Sequence, residues 1–397
     1  MRILLANEAR QGAGGVESYL AALAPHLEAR GHDVALLYGN PSSETGPTRI
    51  VTSDAWSVAD EGLDRAMAGV RAWRPDVCFS HNMRLLEVDE RLAAARDGWR
   101  TFKMMHGYFG ACVSGHKAFS FPDLEPCTRI CGPGCLVHYL PRRCGQLRPD
   151  VMAAQYAWAR RQQQLFPRYS GIVVASEHMR REYLRYDIPG DRIHRIPLFS
   201  TAAPGAPAPA QPGGDRGIDV VFLGRMTPLK GAEQLVRALP HVASALGRPV
   251  RAVLAGSGPE RERLHDLACE LGRAGGFTAE FPGWIDPASR SDIFSRASLA
   301  VLPSIWPEPF GLVGLEAAQS GVPSVAFDTG GIREWLEDGV NGRLADLAGG
   351  PVSLGATIAA VLGDPSLRAR LSTGARAAAA RFSVDAYVTT LERVLAS

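Results

Sequence analysis

Residues 303–334 read PSIWPEPFGLVGLEAAQSGVPSVAFDTGGIRE. Pro307 and Pro309 exclude helix around Glu308, so that acid lies on a loop. From Gly311 onward the run LVGLEAAQ is helical in character, and Gly321 with Pro323 ends it. Glu308 therefore precedes a helix, and Glu316 sits within its early turns. A helix start offers free backbone N–H groups and the positive end of the dipole, which suits a phosphate. The flanking carboxylates would repel phosphate and accept hydrogen bonds from hydroxyls instead. An anion with hydroxyls on both sides describes a nucleotide sugar. Two solvated glutamates beside an amphipathic helix would also explain the acids alone. The surrounding glycines and prolines, and a basic loop at 224–231, favour the ligand reading.

The rest of the chain sets the scale. It has 397 residues, 46% hydrophobic and 21% charged, which is enough for two globular domains. A net charge of +2 excludes nucleic-acid binding by bulk charge. No apolar run approaches the roughly 20 residues that span a bilayer. The opening MRILLANEAR reads as a first strand and not as a signal peptide, so a cytoplasmic location is expected. Seven cysteines are present, five of them between Cys112 and Cys144. In that compartment such a cluster suggests metal or free thiols before disulfides.

Short apolar β-type runs alternate with helical patterns. Strands are expected at 3–6, 34–38, 77–80, 102–105, 172–175 and 193–197, then at 219–223, 253–255, 300–302 and 324–326. Helices are expected at 18–29, 232–246, 260–272, 290–297 and 383–396. Residues 200–216 read STAAPGAPAPAQPGGDR, without periodicity and rich in proline, which marks a semi-rigid linker. The pattern is α/β: two doubly wound Rossmann-like domains facing a central cleft. The expected boundaries are 1–198 for an acceptor-side domain, 199–217 for the linker and 218–382 for a donor-binding domain. The C-terminal helix, 383–397, completes the first domain. Ligands in such sheets lie beyond the carboxyl ends of the strands.

Several motifs fall at those ends. GRMTPLKG (224–231) follows the first strand of the second half, and its Arg225 and Lys230 could neutralise a diphosphate. No Asp-x-Asp occurs, the nearest approach being Glu87-Val88-Asp89. Metal-assisted departure of a diphosphate therefore has no sequence support, and cationic side chains must serve. AGSGPE (255–260) is a second strand-to-helix turn, whose Gly256 permits either close ligand approach or an ordinary turn. Gly12 to Gly15 is similar but lacks the G-x-G-x-x-G spacing of dinucleotide sites. His106 follows the strand TFKMM and serves either ligand or core. Cys112, Cys127, Cys135 and Cys144 are the candidates for structural zinc, although no standard C-x2-C pair is present. Free thiols are the alternative. Residues 139–171 hold six arginines and one acid with aromatics between them. They read either as a solvated helix face or as a contact with the inner, anionic face of a membrane.

This combination resembles family 4 of the retaining GT-B glycosyltransferases, over nearly the whole chain. The resemblance rests on Gly14-Gly15, His106-Gly107, IVVASEHMRREY near residue 172, GRMTPLKG, AGSGPE, and residues 303–327 with their Glu-x7-Glu. It implies that Arg225 and Lys230 hold the donor diphosphate, with Gly14, Gly15, Gly224 and Gly256 around the nucleotide. It also implies that Glu308 and His106 meet the donor sugar and Glu316 the ribose. Backbone amides of Phe310, Gly311 and Leu312 would meet phosphate and sugar hydroxyls. The implied reaction is sugar transfer, with anomeric retention and without a catalytic metal, from a UDP- or GDP-linked donor to an acceptor hydroxyl. The implied setting is synthesis of a bacterial polysaccharide, lipid-linked glycan or glycoconjugate. Where the family often has Pro-Asn-Gly, this chain has Pro197-Leu198-Phe199. The four cysteines named above recur in a subset of relatives. A nucleotide-sugar epimerase and a non-catalytic nucleotide-sugar sensor remain open alternatives. A glycosidase, with no use for a phosphate cradle, fits worse.

Overall fold

The computed structural model describes residues 1–12, 14–94, 97–200 and 217–397. Residues 201–216, most of the expected linker, lie outside the described residues. The chain forms two compact units. Unit 1 takes Met1–Asp123, Cys127–Pro197 and Val384–Ser397. Unit 2 takes Leu124–Pro126 and Leu198–Ser383.

The main sheet of unit 1 has seven strands: β1 Arg2–Asn7, β2 Asp33–Tyr38, β3 Asp54–Ser57, β4 Val77–Ser80, β5 Arg100–Met105, β6 Gly171–Val174 and β7 Ile193–Arg195. All pairs are parallel, and the spatial order is β7-β6-β5-β4-β1-β2-β3. The sheet of unit 2 has six: β8 Ile218–Leu223, β9 Val250–Ala255, β10 Phe277–Gly283, β11 Ala297–Leu302, β12 Ser324–Phe327 and β13 Gly342–Ala345. Its order is β10-β9-β8-β11-β12-β13, again parallel. Both are the doubly wound arrangement, in which the winding reverses beside the first strand. The reversal lies between β1 and β4 in unit 1 and between β8 and β11 in unit 2. The α/β expectation with two Rossmann-like sheets is met.

The apolar strands sit at the centres because a parallel sheet under helices is covered on both faces. Leu4, Ala6, Ala35, Leu37 and Cys78 lie in the core of unit 1. Val220, Phe222, Leu254, Leu299 and Val301 do the same in unit 2, under the helix Ala232–Leu246. Each fully buried Val, Leu or Phe side chain contributes roughly 1.5–3 kcal/mol of transfer free energy. Unit 1 is closed by the last helix, Val384–Ala396, which lies on the helix Gly15–Ala29. There the Tyr19 and Tyr387 hydroxyls meet at 2.5 Å, and Arg30 and His32 both hold Glu392. Among the described residues no helix is long and apolar enough to cross a membrane.

Candidate functional site

In unit 2 the loops after β8 and β11, the two strands at the reversal, carry most of the expected side chains. After β8 the chain turns through Gly224 and Arg225 into a short 3-10 turn, Pro228–Lys230. Gly231 then takes φ 71°, and a Cβ there would lie 1.7 Å from the Pro303 carbonyl oxygen. Only glycine lets the two loops approach so closely. Ile305 N–H donates to Leu229 O at 2.9 Å and ties them together.

That tie brings Lys230 to Glu308. Nζ donates to Oε1 at 2.6 Å, and Ser304 Oγ donates to the same oxygen at 2.6 Å. Nζ also lies 5.0 Å from the Trp306 ring centroid. Glu308 is buried. Burial alone would raise its pKa, but the Lys230 charge and hydrogen bonds from Lys230, Ser304 and Trp306 outweigh it. The carboxyl is therefore held below its ordinary value and stays ionised. The backbone of Glu308 is gripped as well: its carbonyl accepts Gly331 N–H at 2.6 Å. Arg225, by contrast, is exposed, and no acid pairs with it among the described residues.

The helix after Glu308 runs Leu312–Gln319, with Gly311 at its N-cap position in the left-handed conformation (φ 91°) and no side-chain cap. Its first N–H groups therefore remain available to an anion. Trp335 Nε1 donates to Phe310 O at 2.7 Å and fixes the loop before the helix. Glu316 sits in the second turn, buried, where Arg290 Nη1 reaches both its oxygens at 3.3 Å. Arg290 was not among the candidates. It stands on a separate helix, Pro287–Arg296, 26 residues before its partner in sequence. A local motif search has no reason to join the two. Gly256 (φ 138°) faces Gly224 O, 1.9 Å from where a Cβ would be, so its freedom serves loop packing.

In unit 1 the equivalent reversal presents the glycine turn after β1 and His81 after β4. Gly14 precedes the helix Gly15–Ala29. A Cβ on Gly14 would lie 2.1 Å from Glu17 Oε2, while Gly15 has open space beside it. Asn7 Nδ2 donates to Glu17 Oε1 at 3.2 Å. The glycine turn thus holds a carboxylate, a group suited to hydroxyls and not to phosphate. His106 follows β5, and its Nε2 lies 2.9 Å from His81 Nδ1. Burial, with Lys103 adding to it, lowers the pKa of His106 to about 3. Asp89, the nearest thing to a metal-binding acid in the sequence, is fully buried and ion-paired with Lys103 at 2.6 Å.

Structural zinc at the four cysteines is not shown. Among the described residues no group of three or more His, Cys, Asp or Glu is arranged to hold a metal ion. Cys112 Sγ accepts Lys117 N–H at 3.3 Å, while Cys135 and Cys144 turn to the carbonyls of Ile130 and His138, each at 3.8 Å. The thiols also lie near enough to one another that Cys112, Cys127 and Cys135 help raise the pKa of Cys144, after burial. The buried cysteine of the region is Cys131, outside the four, packed with Val113, Tyr139 and Ala159. Of the arginines in 139–171, Arg148 pairs with Asp150, Arg161 with Glu90, and Arg142 and Arg143 lie over Phe119 and Phe121.

Two family models match the chain. One, described as Glycosyltransferase Family 4, covers residues 13–199, and the other, Glycosyl transferases group 1, covers 210–378. An uncharacterized glycosyltransferase of Methanocaldococcus jannaschii is 37% identical over 31% of this chain and 30% of its own length. A D-inositol 3-phosphate glycosyltransferase of Salinispora arenicola is 36% identical over 45% of this chain and 41% of its own. One from Frankia alni is 35% identical over 51% and 52%. The matched region therefore spans about a third to a half of these curated relatives. Among solved structures, Anabaena HepE in complex with UDP and glucose superposes with a TM-score of 0.71 at 19% identity, covering 100% of both chains. Sucrose-phosphate synthase from Thermosynechococcus elongatus gives 0.68 at 21% identity, over 99% of this chain and 98% of that one. At such identities the likeness is one of fold.

Proposed function

Because the chain belongs to family 4 of the glycosyltransferases, with the GT-B fold, we propose that it moves a sugar from a nucleoside diphosphate to an acceptor hydroxyl with retention at the anomeric carbon. The observation that carries this is the β8/β11 reversal. Arg225, Lys230 and Arg290 stand there with Glu308, Glu316 and the uncapped start of helix Leu312–Gln319. Lys230 and Arg290 each hold one of the two carboxylates, which leaves the exposed Arg225 as the one positive charge of these five in excess for an anion.

In this reading the bond from the anomeric carbon to the diphosphate oxygen breaks as the acceptor oxygen bonds to the same face. The acceptor's proton passes to the leaving phosphate. Arg225, Lys230 and the helix start stabilise the departing charge, the term expected to be largest. Glu308, held by Lys230 and Ser304, hydrogen-bonds the sugar and is not assigned as a nucleophile. Glu316 takes ribose hydroxyls, exchanging part of its hold on Arg290 for them. Unit 2 receives the donor.

A uridine donor is supported by the UDP and glucose bound to HepE. A phosphorylated polyol acceptor is supported by the names of the curated relatives. Polysaccharide or lipid-linked acceptors at a membrane face, met through residues 139–171, belong to the same proposal.

The test is a panel of UDP- and GDP-sugars, each with and without acceptors, read by NMR in EDTA. A glycoside with the donor's anomeric configuration is expected. Epimerised donor without acceptor would make the protein an epimerase. Tight donor binding with no turnover would make it a sensor. An inverted product would remove the retaining mechanism.

A further inference from the structure

His106 does not stand alone at the end of β5. Its Nε2 meets Nδ1 of His81, which follows the neighbouring strand β4. His81 is fully buried, with the Phe79 ring edge-on at 4.4 Å and Tyr19 at 5.7 Å. Beneath it lies a closed polar network. Lys103 Nζ donates to the backbone oxygen of His81 at 2.5 Å, to Ser80 Oγ at 3.0 Å and to Asp89 Oδ2 at 2.6 Å. Ser80 Oγ in turn donates to Asp89 Oδ1 at 2.5 Å. Lys103 and Asp89 are only 3% and 0% exposed. A buried ion pair is an expensive way to stabilise a fold, since desolvation offsets most of its attraction. Here it anchors the backbone that carries His81.

Two neutral imidazoles sharing one hydrogen bond have two arrangements. If His106 donates, His81 carries its proton on Nε2. That nitrogen is buried and has no hydrogen-bond partner. If His81 donates from Nδ1, the orphan at Nε2 is a bare acceptor. Buried N–H groups without a partner are rarer than unsatisfied acceptors, so the second arrangement is favoured. His106 must then hold its own proton on Nδ1.

We infer that His81, seated on the Lys103–Asp89 pair, is a positioning residue that fixes His106 as the Nδ1–H tautomer. His106 therefore meets a ligand oxygen as a hydrogen-bond donor, and cannot accept a proton through that nitrogen. This rests on the proposed function only in naming the ligand: an oxygen of a sugar substrate. The lowered pKa of His106, caused first by burial and then by the Lys103 ammonium, agrees with a ring that stays neutral.

The test uses the full chain labelled with 15N-histidine, with long-range 1H–15N spectra recorded without ligand. Wild-type protein should show a protonated Nδ1 and a bare Nε2 at both His81 and His106. His81→Leu should release His106 into a mixture of tautomers. It should also lower kcat roughly tenfold or more while leaving donor KM within about threefold, as losing an orienting partner does. His81→Asn, whose amide can donate from nearly the same place, should restore a single tautomer and most of the rate. A protonated Nε2 on wild-type His106 overturns the inference, as does a single unchanged tautomer in His81→Leu. If His81→Leu does not fold, the wild-type and His81→Asn spectra still decide it. The spectra need no turnover, so their outcome is separate from that of the nucleotide-sugar panel.

Discussion

The two winding reversals share one topology and carry opposite chemistry. In unit 2 the loops after β8 and β11 bring charges together at the surface end of the sheet: Lys230 on Glu308, Arg290 on Glu316, and Arg225 exposed. In unit 1 the charges are driven inward. Lys103 and Asp89 are sealed under the sheet's end, with buried His81 above them, and what lies nearer the surface is His106 and a glycine turn lined by Glu17. Strand order thus sets where a ligand can be met. The residues at those ends set whether the meeting is ionic or by neutral hydrogen bonds.

The sharpest break in this contrast is Lys103→Met. It leaves Asp89 charged, buried and unpaired, and should cost about 3–5 kcal/mol in denaturant unfolding of unit 1. Adding Asp89→Leu should recover much of that, and a single variant as stable as wild type would refute the sealed-pair account. Next comes Lys230→Ala, expected to lower kcat/KM by about 10²–10³-fold through loss of charge stabilisation at the leaving group. It also strands the Glu308 carboxylate, so its Tm should fall. Lys230→Ala combined with Glu308→Gln should regain stability but not activity. Full activity in the single variant would remove Lys230 from the machinery.

Acid should separate the units in a third way. His106 has a folded pKa of about 3 against an ordinary 6.5. The unfolded chain therefore binds the extra proton first. The stability from the neutral ring is complete above pH 6.5 and is lost as pH falls toward 3. At pH 5 the loss is at most about 2 kcal/mol for this residue. His106→Gln should flatten the wild-type decline in unfolding free energy between pH 6.5 and 5, and parallel curves would contradict the assignment. Glu308 gives no such effect in that window. Glu308's lowered pKa means its pairing is intact above about 4.5 and fails only in stronger acid. The smallest expected change is in Arg290→Ala. Donor KM should rise roughly tenfold with kcat little altered, the mark of lost uniform binding. A fall in kcat with KM unchanged would move Arg290 from ribose positioning to the transition state.

The central strands were legible because both faces of a parallel strand are covered, which leaves continuous apolar runs such as ILLA and VVFL. The edges were not. Asp54–Ser57, Phe277–Gly283 and Gly342–Ala345 are strands in the structure with no counterpart among the expected ones. Phe277–Gly283 alternates between covered and open positions and contains Pro282, so its composition resembles a loop. In the candidate site, Glu308 and Glu316 could be read from their prolines and helix pattern. Arg290, Glu17 and His81 could not, because each acts through a partner that is distant in sequence or hidden by the fold.

From residues 303–334 alone follow a loop acid, a helix start and a second acid one turn further, since prolines and glycines act on their own backbone. Two Rossmann-like halves follow equally from the alternation of apolar runs. Which cation faces which carboxylate does not follow, because that depends on β8 and β11 becoming neighbours although some 75 residues of chain separate them. Nor does the burial of Lys103 and Asp89, or the pairing of His106 with His81. A side chain's charge partner and exposure belong to the folded chain, and they leave Lys230 on Glu308 in one unit and seal Lys103 with Asp89 in the other.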